Sequence, residues 1–270
     1  MKIKESEFNR IQSYVYKNYG ILLTEKKKTL VESRFTHILE VRGFTSFTDY
    51  FDTIEADKTG KEIAEFINKI TTNHTYFFRE EKHFAFLKEV ALPEITYHEQ
   101  QSKDIRIWSA GCSSGEEPYS IAMTLEAYLG KNKLLWDAKV LATDISLKVL
   151  ESANRGEYER IQVEKLNKDI RERYFLKLND EKFLVKDNIK NEVIFRKFNL
   201  VNNFPFKKKF HIIFCRNVMI YFDKDSKKEL IDKFYNALVP GGYLFIGHSE
   251  TIEDRSQGFK YLQPAIYKKE

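Results

Sequence analysis

Apolar residues in the first part of the chain recur every three or four positions, the spacing of helices with one buried face. The pattern predicts short helices over residues 7–18, 25–42, 46–55 and 60–70. On the second of these, Lys26, Arg34 and His37 flank the apolar stripe and form one basic edge. A solvated helix face is the simpler interpretation of that edge, and a partner-binding surface is the alternative. Short helices of this kind predict a small all-α bundle.

The pattern changes near residue 105, where short β-rich runs begin to alternate with helical stretches. The predicted strands are 105–108, 139–143, 210–214 and 243–246. The predicted crossover helices are 116–129, 147–154 and 224–238. Alternation of this kind is typical of a parallel sheet with helices on both faces. Pro240-Gly241-Gly242 predicts a turn into the next strand, and 261–267 predicts a final edge strand.

Residues 173–198 have a different residue pattern from the predicted strands and helices on either side of them. Candidate short strands at 174–177, 182–186 and 192–195 lie around a turn at Asn179-Asp180. An antiparallel excursion from the sheet is the simplest account of this segment.

Composition narrows the class of protein further. The chain has 270 residues, of which 42% are hydrophobic, so it can bury a full core. The formal net charge of +5 falls short of the basic surface of a dedicated nucleic-acid binder. Cys112 and Cys215 lack the spacing of a zinc site or a disulfide framework, which suits a reducing cytoplasm. No apolar run approaches the roughly 20 residues of a membrane helix, so no membrane insertion is expected.

The strongest candidate site follows the first predicted strand. A turn containing Gly111 and Gly115 leads into a helix that begins with Glu116 and Glu117. Glycines let a ligand approach the backbone closely. Two carboxylates would repel a diphosphate but attract an ammonium or sulfonium group. The alternative is that both acids merely complement the positive end of the helix dipole.

Further candidates lie at the carboxyl ends of other predicted strands. Asp144 closes one strand, where doubly wound sheets offer a carboxylate to ribose hydroxyls, although an N-cap role is the alternative. Arg216, Asn217 and Tyr221 follow another strand at the same rim. Together with the glycine turn, these residues predict an adenosine-type ligand. The pattern of residues 71–80 leaves open whether that segment is a hinge or part of the site.

Five ordered segments closely resemble the bacterial chemotaxis receptor methyltransferases, the CheR family. The segments are 72–79 (TNHTYFFR), 108–120 (WSAGCSSGEEPYS), 142–145 (ATDI), 214–222 (FCRNVMIYF) and 247–250 (GHSE). The resemblance spans nearly the whole chain. It implies an α/β fold: a Rossmann-like S-adenosylmethionine (SAM)-dependent methyltransferase domain with a small antiparallel β-subdomain insertion, preceded by an N-terminal all-α helical domain.

The resemblance divides the chain into a helical receptor-docking domain (1–70), a linker that contributes to the cofactor site (71–90) and the Rossmann-like domain (91–270). The β-subdomain is expected as an insertion at about 173–198. The implied activity is methyl-ester formation on glutamate side chains of chemotaxis receptors, which sets receptor adaptation. SAM is the implied cofactor and S-adenosylhomocysteine the product, and no metal is implied.

The resemblance also implies site residues. Together with Gly111 from the glycine turn, those expected to hold the cofactor are Asn73, Thr75, Arg79, Glu117, Asp144, Asn199, Leu200, Arg216 and Asn217. Arg79 and Tyr221 are expected nearest the transferred methyl group. No strong base is required, because a glutamate with a pKa of about 4.3 is already a carboxylate near neutral pH. His248 is therefore expected at the rim or in a structural role, and Cys112 as a small buried residue.

The family resemblance implies that the basic helix meets the acidic methylation helices of the receptor. The docking residues expected on helix 25–42 are Lys26, Lys27, Lys28, Arg34 and Arg42. Some members also hold a receptor C-terminal pentapeptide through a glycine-containing loop, and residues 174–183 contain no glycine. The sequence therefore predicts no pentapeptide tether, and a cytoplasmic monomer is expected.

Two other functions stay open. One is a SAM-dependent methyltransferase of nucleic acid or a small metabolite. An amino-methylating nucleic-acid enzyme usually carries Asn-Pro-Pro-Tyr or Asp-Pro-Pro-Tyr after the fourth strand, where this chain has Phe214-Cys215-Arg216-Asn217. The other is a non-catalytic SAM sensor, against which the intact Arg79, Asn217 and Tyr221 weigh.

Overall fold

The computed structural model describes residues 1–71, 74–252 and 258–270. In residues 1–71, apolar faces of short helices pack into one aromatic core. The α-helices are α1 (Glu5–Tyr19), α2 (Lys28–Val41), α3 (Phe47–Ala56) and α4 (Lys61–Ile70). Phe35 and Phe66 stack at the centre, with ring centroids 4.6 Å apart, and both are fully buried. The predicted all-α bundle is present. Its second helix is shorter than expected, because Glu25–Lys27 form a separate 3-10 turn before α2.

Within the described residues, seven strands form the main sheet in the order β6-β2-β1-β7-β8-β10-β9. Their bounds are β1 Ile107–Ala110, β2 Val140–Asp144, β6 Val193–Lys197, β7 Phe210–Cys215, β8 Leu238–Ile246, β9 Phe259–Gln263 and β10 Ile266–Lys269. From β6 to β8, neighbouring strands are parallel; β10 and β9 continue the sheet as an antiparallel hairpin.

Helices cover both faces of this sheet. They are α5 (Glu81–Phe86), continued by a π-helical turn (Leu87–Ala91) into α6 (Leu92–His98), then α7 (Glu116–Leu129), α8 (Leu147–Arg155), α9 (Arg160–Val163), α10 (Lys168–Tyr174), α11 (Asp187–Lys190) and α12 (Lys224–Ala237). Besides the turn at Glu25–Lys27, the described parts of the chain contain 3-10 turns at Gly130–Leu135 and Met219–Tyr221.

Successive strand residues enter different cores, as the two-residue period of a strand requires. Ile107 packs in the core that contains α7, whereas its neighbour Trp108 packs against α12 through Phe234. The Trp108 indole nitrogen donates to the Thr143 hydroxyl at 2.9 Å, which satisfies its one polar atom. Because both faces of the sheet are buried, its strands consist of nearly continuous apolar runs.

The small antiparallel sheet is present, and the predicted strands at 174–177 and 182–186 belong to it as β4 and β5, but its third strand differs from the prediction. Its strands, all between residues 157 and 185, are β3 (Glu157–Glu159), β5 (Lys182–Val185) and β4 (Phe175–Lys177), in that order. The strand predicted at 192–195 does not belong to it. Val193 pairs with Val140, so β6 is the parallel edge strand of the main sheet. No clear residue pattern predicts β3, because a single buried Tyr158 stands between two exposed glutamates.

Three further boundaries differ from the expectations. Pro240-Gly241-Gly242 lies inside β8, where the register with β7 shifts between Phe210 and Ile212. The segment 261–267 is part of a hairpin that turns at Ala265, whose φ is 65°. The expected linker 71–90 contains α5 and part of the π-helical turn, because Phe84 and Leu87 are buried in the core of the sheet.

The helical bundle packs against the carboxyl-end rim of the main sheet. The Asn68 side-chain amide donates to Ser146 Oγ at 2.6 Å, and the Asn199 amide donates to the Asn18 carbonyl at 2.9 Å. The Leu22 amide donates to the Tyr221 carbonyl at 2.8 Å. A cleft therefore forms between the bundle and the sheet. None of the helices in the described ranges is long and apolar enough to cross a membrane.

Candidate cofactor site

The cleft between bundle and sheet brings together the predicted site residues that the structure describes. Its lining includes Thr75, Arg79, Gly111, Glu117, Asp144, Asn199, Leu200, Arg216, Asn217 and Tyr221. These residues come from the segment before α5, from the ends of β1, β2, β6 and β7, and from the start of α7. Asn73, also predicted to bind the cofactor, lies outside the described residues.

The turn after β1 requires glycine at position 111. Its φ is +83°, and a Cβ there would lie 2.5 Å from Val218 Cγ2. The Gly111 and Cys112 amides donate to the Thr143 carbonyl at 2.8 and 2.9 Å, which holds the turn against β2. Gly115 serves another purpose, because a Cβ there would meet the Ala153 Cβ at 2.8 Å. The expectation that both glycines admit a ligand is therefore wrong for Gly115, which permits close packing of α7 on α8.

Asp144 occupies the floor of the cleft at the end of β2. Its two carboxylate oxygens accept hydrogen bonds from the Ser113 amide at 2.9 Å and the Ser146 amide at 3.1 Å. Burial raises the pKa of Asp144, and these amides oppose that rise. Ser146, not Asp144, is the N-cap of α8, since its hydroxyl accepts from the Val149 amide. Each Asp144 oxygen retains acceptor capacity for a hydroxyl group in the cleft.

The adjacent acids Glu116 and Glu117 point to different places. Glu117 lines the cleft, where it accepts from the Ser109 hydroxyl at 2.7 Å and pairs with Arg216 at 2.9 Å. Glu116 is 1% exposed and is bound by the Ser114 hydroxyl and the Gln162 amide. Burial raises the pKa of Glu116. The carboxylate available to a cationic group in the cleft is therefore that of Glu117.

Arg216 ties three separate segments together behind the cleft. The residue is 6% exposed, and its guanidinium pairs with Glu80 at 3.0 Å and with Glu117 at 2.9 Å. It also donates to the Arg79 carbonyl. Most of its donors are thus directed at protein groups. Arg216 positions Glu117 and the backbone before α5, besides lining the cleft.

The turn after β7 is held by Glu250, which the sequence reasoning did not single out as functional. One Glu250 oxygen accepts from the backbone amides of Asn217 at 2.9 Å and Gly247 at 2.6 Å. The other oxygen accepts from the backbone amide of Ile220 at 3.1 Å. Glu250 is 6% exposed, and burial raises its pKa. Asn217 has a φ of 59°, a left-handed conformation that Asn tolerates better than most residues. The sequence feature that could have identified Glu250 is the segment 247–250 (GHSE), one of the five that resemble the CheR family.

Arg79 and Tyr221 line the cleft with partly exposed side chains. The half-exposed Arg79 guanidinium donates to the His74 carbonyl at 2.5 Å and lies 6.0 Å from the centroid of the Tyr76 ring. Tyr221 ends the 3-10 turn after β7 and is half-buried. Lys27 Nζ lies 5.0 Å from the centroid of the Tyr221 ring. A basic residue of the bundle therefore reaches the mouth of the cleft.

Part of the cleft wall was missed because it depends on how the bundle docks. Tyr19, Ile21, Ile67 and Asn68 come from the bundle, and Ile145, Phe198, Val218 and Phe222 come from the sheet domain. No pattern in the sequence distinguishes these residues from other half-buried positions. Cys112 is 2% exposed, as expected, and burial raises the pKa of its thiol.

The five predicted docking cations do not share one exposed face. Lys28 pairs with Glu5, Arg34 donates to backbone carbonyls at the end of α4, and Arg42 pairs with Glu62 at 2.7 Å. Lys26 is exposed, and Lys27 lies over Tyr221. The basic character at the cleft mouth therefore comes from the 3-10 turn rather than from the length of α2.

Comparison with known families identifies the class. The model for the SAM-binding domain of CheR methyltransferases matches residues 73–267, which contain every strand described above except the last two residues of β10. The model for the all-α domain of CheR methyltransferases matches residues 6–71, which contain nearly all of the bundle. The fold and its cleft therefore define a SAM-dependent methyltransferase, and the predicted fold class and cofactor are confirmed.

Individual relatives agree with this class over the full length. The chemotaxis protein methyltransferase of Borreliella burgdorferi is 48% identical over 272 residues, covering 100% of this chain and 96% of the relative. That of Escherichia coli K12 is 36% identical over 271 residues, covering 99% and 92%. A probable chemotaxis protein methyltransferase of Rhizobium etli is 37% identical over 246 residues, covering 90% and 91%. The chain belongs to the CheR family of chemotaxis protein methyltransferases.

Proposed function

We propose that this protein transfers the methyl group of SAM to glutamate side-chain carboxylates of chemotaxis receptors, forming methyl esters. The supporting observation is the arrangement of the cleft. Its lining brings the carboxylates of Glu117 and Asp144 together with the side chains of Arg79 and Tyr221. The relatives named as chemotaxis protein methyltransferases point to the same process.

The two carboxylates of the cleft suit two polar parts of SAM, the ribose and the amino-acid portion. Asp144 would accept from the ribose hydroxyls, and Glu117 would attract the ammonium group. The turn at Gly111, which packs closely against Val218, would present its backbone to the ligand as part of the cleft lining. Asn199 and Leu200 from the end of β6, and Thr75 before α5, would complete the binding surface. When bound, SAM supplies a methyl group already activated by its sulfonium.

The open side of the cleft would receive the acceptor glutamate. Its carboxylate is ionised near neutral pH, so the protein needs to position and partly dehydrate it rather than remove a proton. Good positioning is worth up to ~7–11 kcal/mol in well-oriented reactions. We assign this role to the Arg79 guanidinium, with a hydrogen bond from the Tyr221 hydroxyl beside it.

Arg79→Ala tests this assignment. We expect methyl transfer to fall by about 100-fold or more, the scale of losing a charged positioning contact, while the Kd for SAM changes less than about five-fold. The assay incubates the protein with radiolabelled SAM and receptor-rich membranes, followed by release of methanol in base. Equal losses of transfer and SAM affinity would make Arg79 a cofactor ligand. Label that resists base would exclude a methyl ester, and SAM binding without transfer would indicate a sensor.

Receptor docking is proposed on a smaller surface than the sequence suggested. Lys26 is exposed, and Lys27 lies over Tyr221, so the turn they share can present positive charge to an acidic receptor segment beside the reacting groups. The protein would act as a cytoplasmic monomer. The β4–β5 connection remains without glycine, and we propose no pentapeptide tether. Micromolar binding of a free receptor pentapeptide in titration calorimetry would contradict that part.

A further inference from the structure

A compact group of metal-ligating side chains lies behind the cleft, on the far side of Arg216 from Glu117. Glu80 precedes α5, His83 lies in the first turn of α5, and His248 follows β8. We propose that Glu80, His83 and His248 form a binding site for a divalent transition-metal ion of the zinc class. The site is separate from the residues assigned to SAM.

The spacing of the candidate ligand atoms fits one ion. One ligand atom from each residue lies within 4.8 Å of the others. Glu80 Oε2 lies 3.3 Å from His83 Nδ1 and 3.9 Å from His248 Nε2. Ligands about 2.0–2.2 Å from a tetrahedral zinc ion lie roughly 3.4 Å apart. The half-exposed His248 ring can make the small adjustment this geometry requires.

His83 supplies an independent reason to expect a ligand. Its side chain is fully buried, and although the backbone carbonyl of Pro264 approaches the ring, neither ring nitrogen makes a hydrogen bond of acceptable geometry with the described residues. Glu80 Oε2 is close but poorly aligned for such a bond. A neutral imidazole offers one ring nitrogen lone pair to a metal ion. Buried polar atoms without partners are rare in folded proteins and call for an explanation such as an ion.

The backbone also favours a functional role for this group. Glu80 has a φ of 61°, in the left-handed region that non-glycine residues rarely adopt. Such strain is concentrated at functional sites, where the surrounding structure holds it in place.

Neighbouring charges limit the expected affinity. The Arg216 guanidinium lies 3.0 Å from Glu80 Oε2 and would compete with an ion for this oxygen. Glu117, the other carboxylate paired with Arg216, offsets part of that positive charge. Phe245 packs edge-on against His83 and adds no charge. We therefore expect reversible binding, weaker than in a structural zinc site closed by cysteines.

Metal titration of the full chain, free of any histidine tag, tests the proposal. We expect Zn²⁺ to bind with one equivalent in calorimetry, and Co²⁺ to give visible absorption bands of a low-coordinate nitrogen and oxygen site. His248→Ala should weaken Zn²⁺ binding at least ~10-fold and remove the Co²⁺ bands. This variant changes a half-exposed residue, so its fold should survive even if a His83 variant does not fold.

His37→Ala is the matched control, because His37 is an exposed histidine on α2, away from the cluster. Its Zn²⁺ affinity and Co²⁺ spectrum should equal those of the unmodified protein. The proposal is overturned if no stoichiometric Zn²⁺ binding occurs, or if His248→Ala binds Zn²⁺ as tightly as His37→Ala does.

Discussion

Two loops at the rim of the sheet face the same cleft but are held by different means. The loop after β1 is fixed by backbone groups of the neighbouring strand, since the Thr143 carbonyl accepts from the Gly111 and Cys112 amides. The loop after β7 is fixed by carboxylates distant in sequence. Glu250 accepts from its amides, and Glu80 and Glu117 pair with Arg216 at its start.

The difference between these loops indicates how each can fail. The loop after β1 depends on backbone conformation and available space, so an added atom should damage it. The loop after β7 depends on buried charges and their hydrogen bonds, so removal of an acceptor should damage it. The first loop lies on the side proposed for SAM, and the second carries Tyr221 toward the side proposed for the acceptor.

Gly111→Ala should have the largest effect, because the new Cβ meets Val218 and the backbone stays left-handed. We expect a loss of ~2–4 kcal/mol in the free energy of unfolding and a large loss of SAM affinity. Urea denaturation and SAM titration measure both. Gly43→Ala is the matched control, since φ is +76° there and its Cβ would meet nothing within 4 Å in the described chain. Equal losses in the two variants would show that the contact with Val218 does not cause the effect of Gly111→Ala.

Glu250→Ala should rank next, because it leaves two backbone amides of the loop, and the Gly247 amide after β8, without their acceptor. We expect a loss of ~2–3 kcal/mol in unfolding free energy and a fall in methyl transfer, with a smaller change in the KM for SAM. Glu250→Gln retains one acceptor oxygen and should recover part of both losses. If both variants transfer methyl at the original rate, the loop does not need Glu250 for its working conformation.

Glu80→Gln should have a moderate effect that depends on pH. The Arg216 guanidinium and the His248 amide hold the pKa of Glu80 below its ordinary value against the opposing effect of burial. The ionised carboxylate therefore stabilises the fold above its unfolded pKa of about 4.3, and this contribution disappears as the pH falls through the lowered folded value. The variant should lose ~1–3 kcal/mol at pH 7 and progressively less below pH 4.5. Urea denaturation across this range measures it, and a pH-independent loss would contradict the ion-pair explanation.

Lys26→Ala should have the smallest effect, on docking alone. We expect the KM for receptor membranes to rise about two- to five-fold at low salt and to approach the original value at high salt, where charges are screened. Lys28→Ala is the matched control, because Lys28 is paired with Glu5. Equal effects of the two substitutions would argue against docking through the turn at 25–27.

Features that depend on nearby residues could be predicted with good accuracy. The strand end at Asp144, the glycine turn after β1 and the helical bundle all follow from short-range patterns of apolar, polar and glycine residues. The third strand of the small sheet was assigned wrongly, because β3 and β6 are defined by partners far along the chain. Val193 has no local feature that selects Val140 over the strands of the excursion.

The chain itself therefore determined the elements, the family resemblance and the residue types able to meet a cationic, ribose-bearing cofactor. Tertiary structure decided which of two adjacent glutamates faces the cleft, which groups surround Arg216, and that the bundle supplies Tyr19 and Asn68 to the wall. The physical reason is how far along the chain each interaction acts. Backbone conformation and periodic burial act over a few residues, whereas buried charges find their partners only after distant segments have packed together.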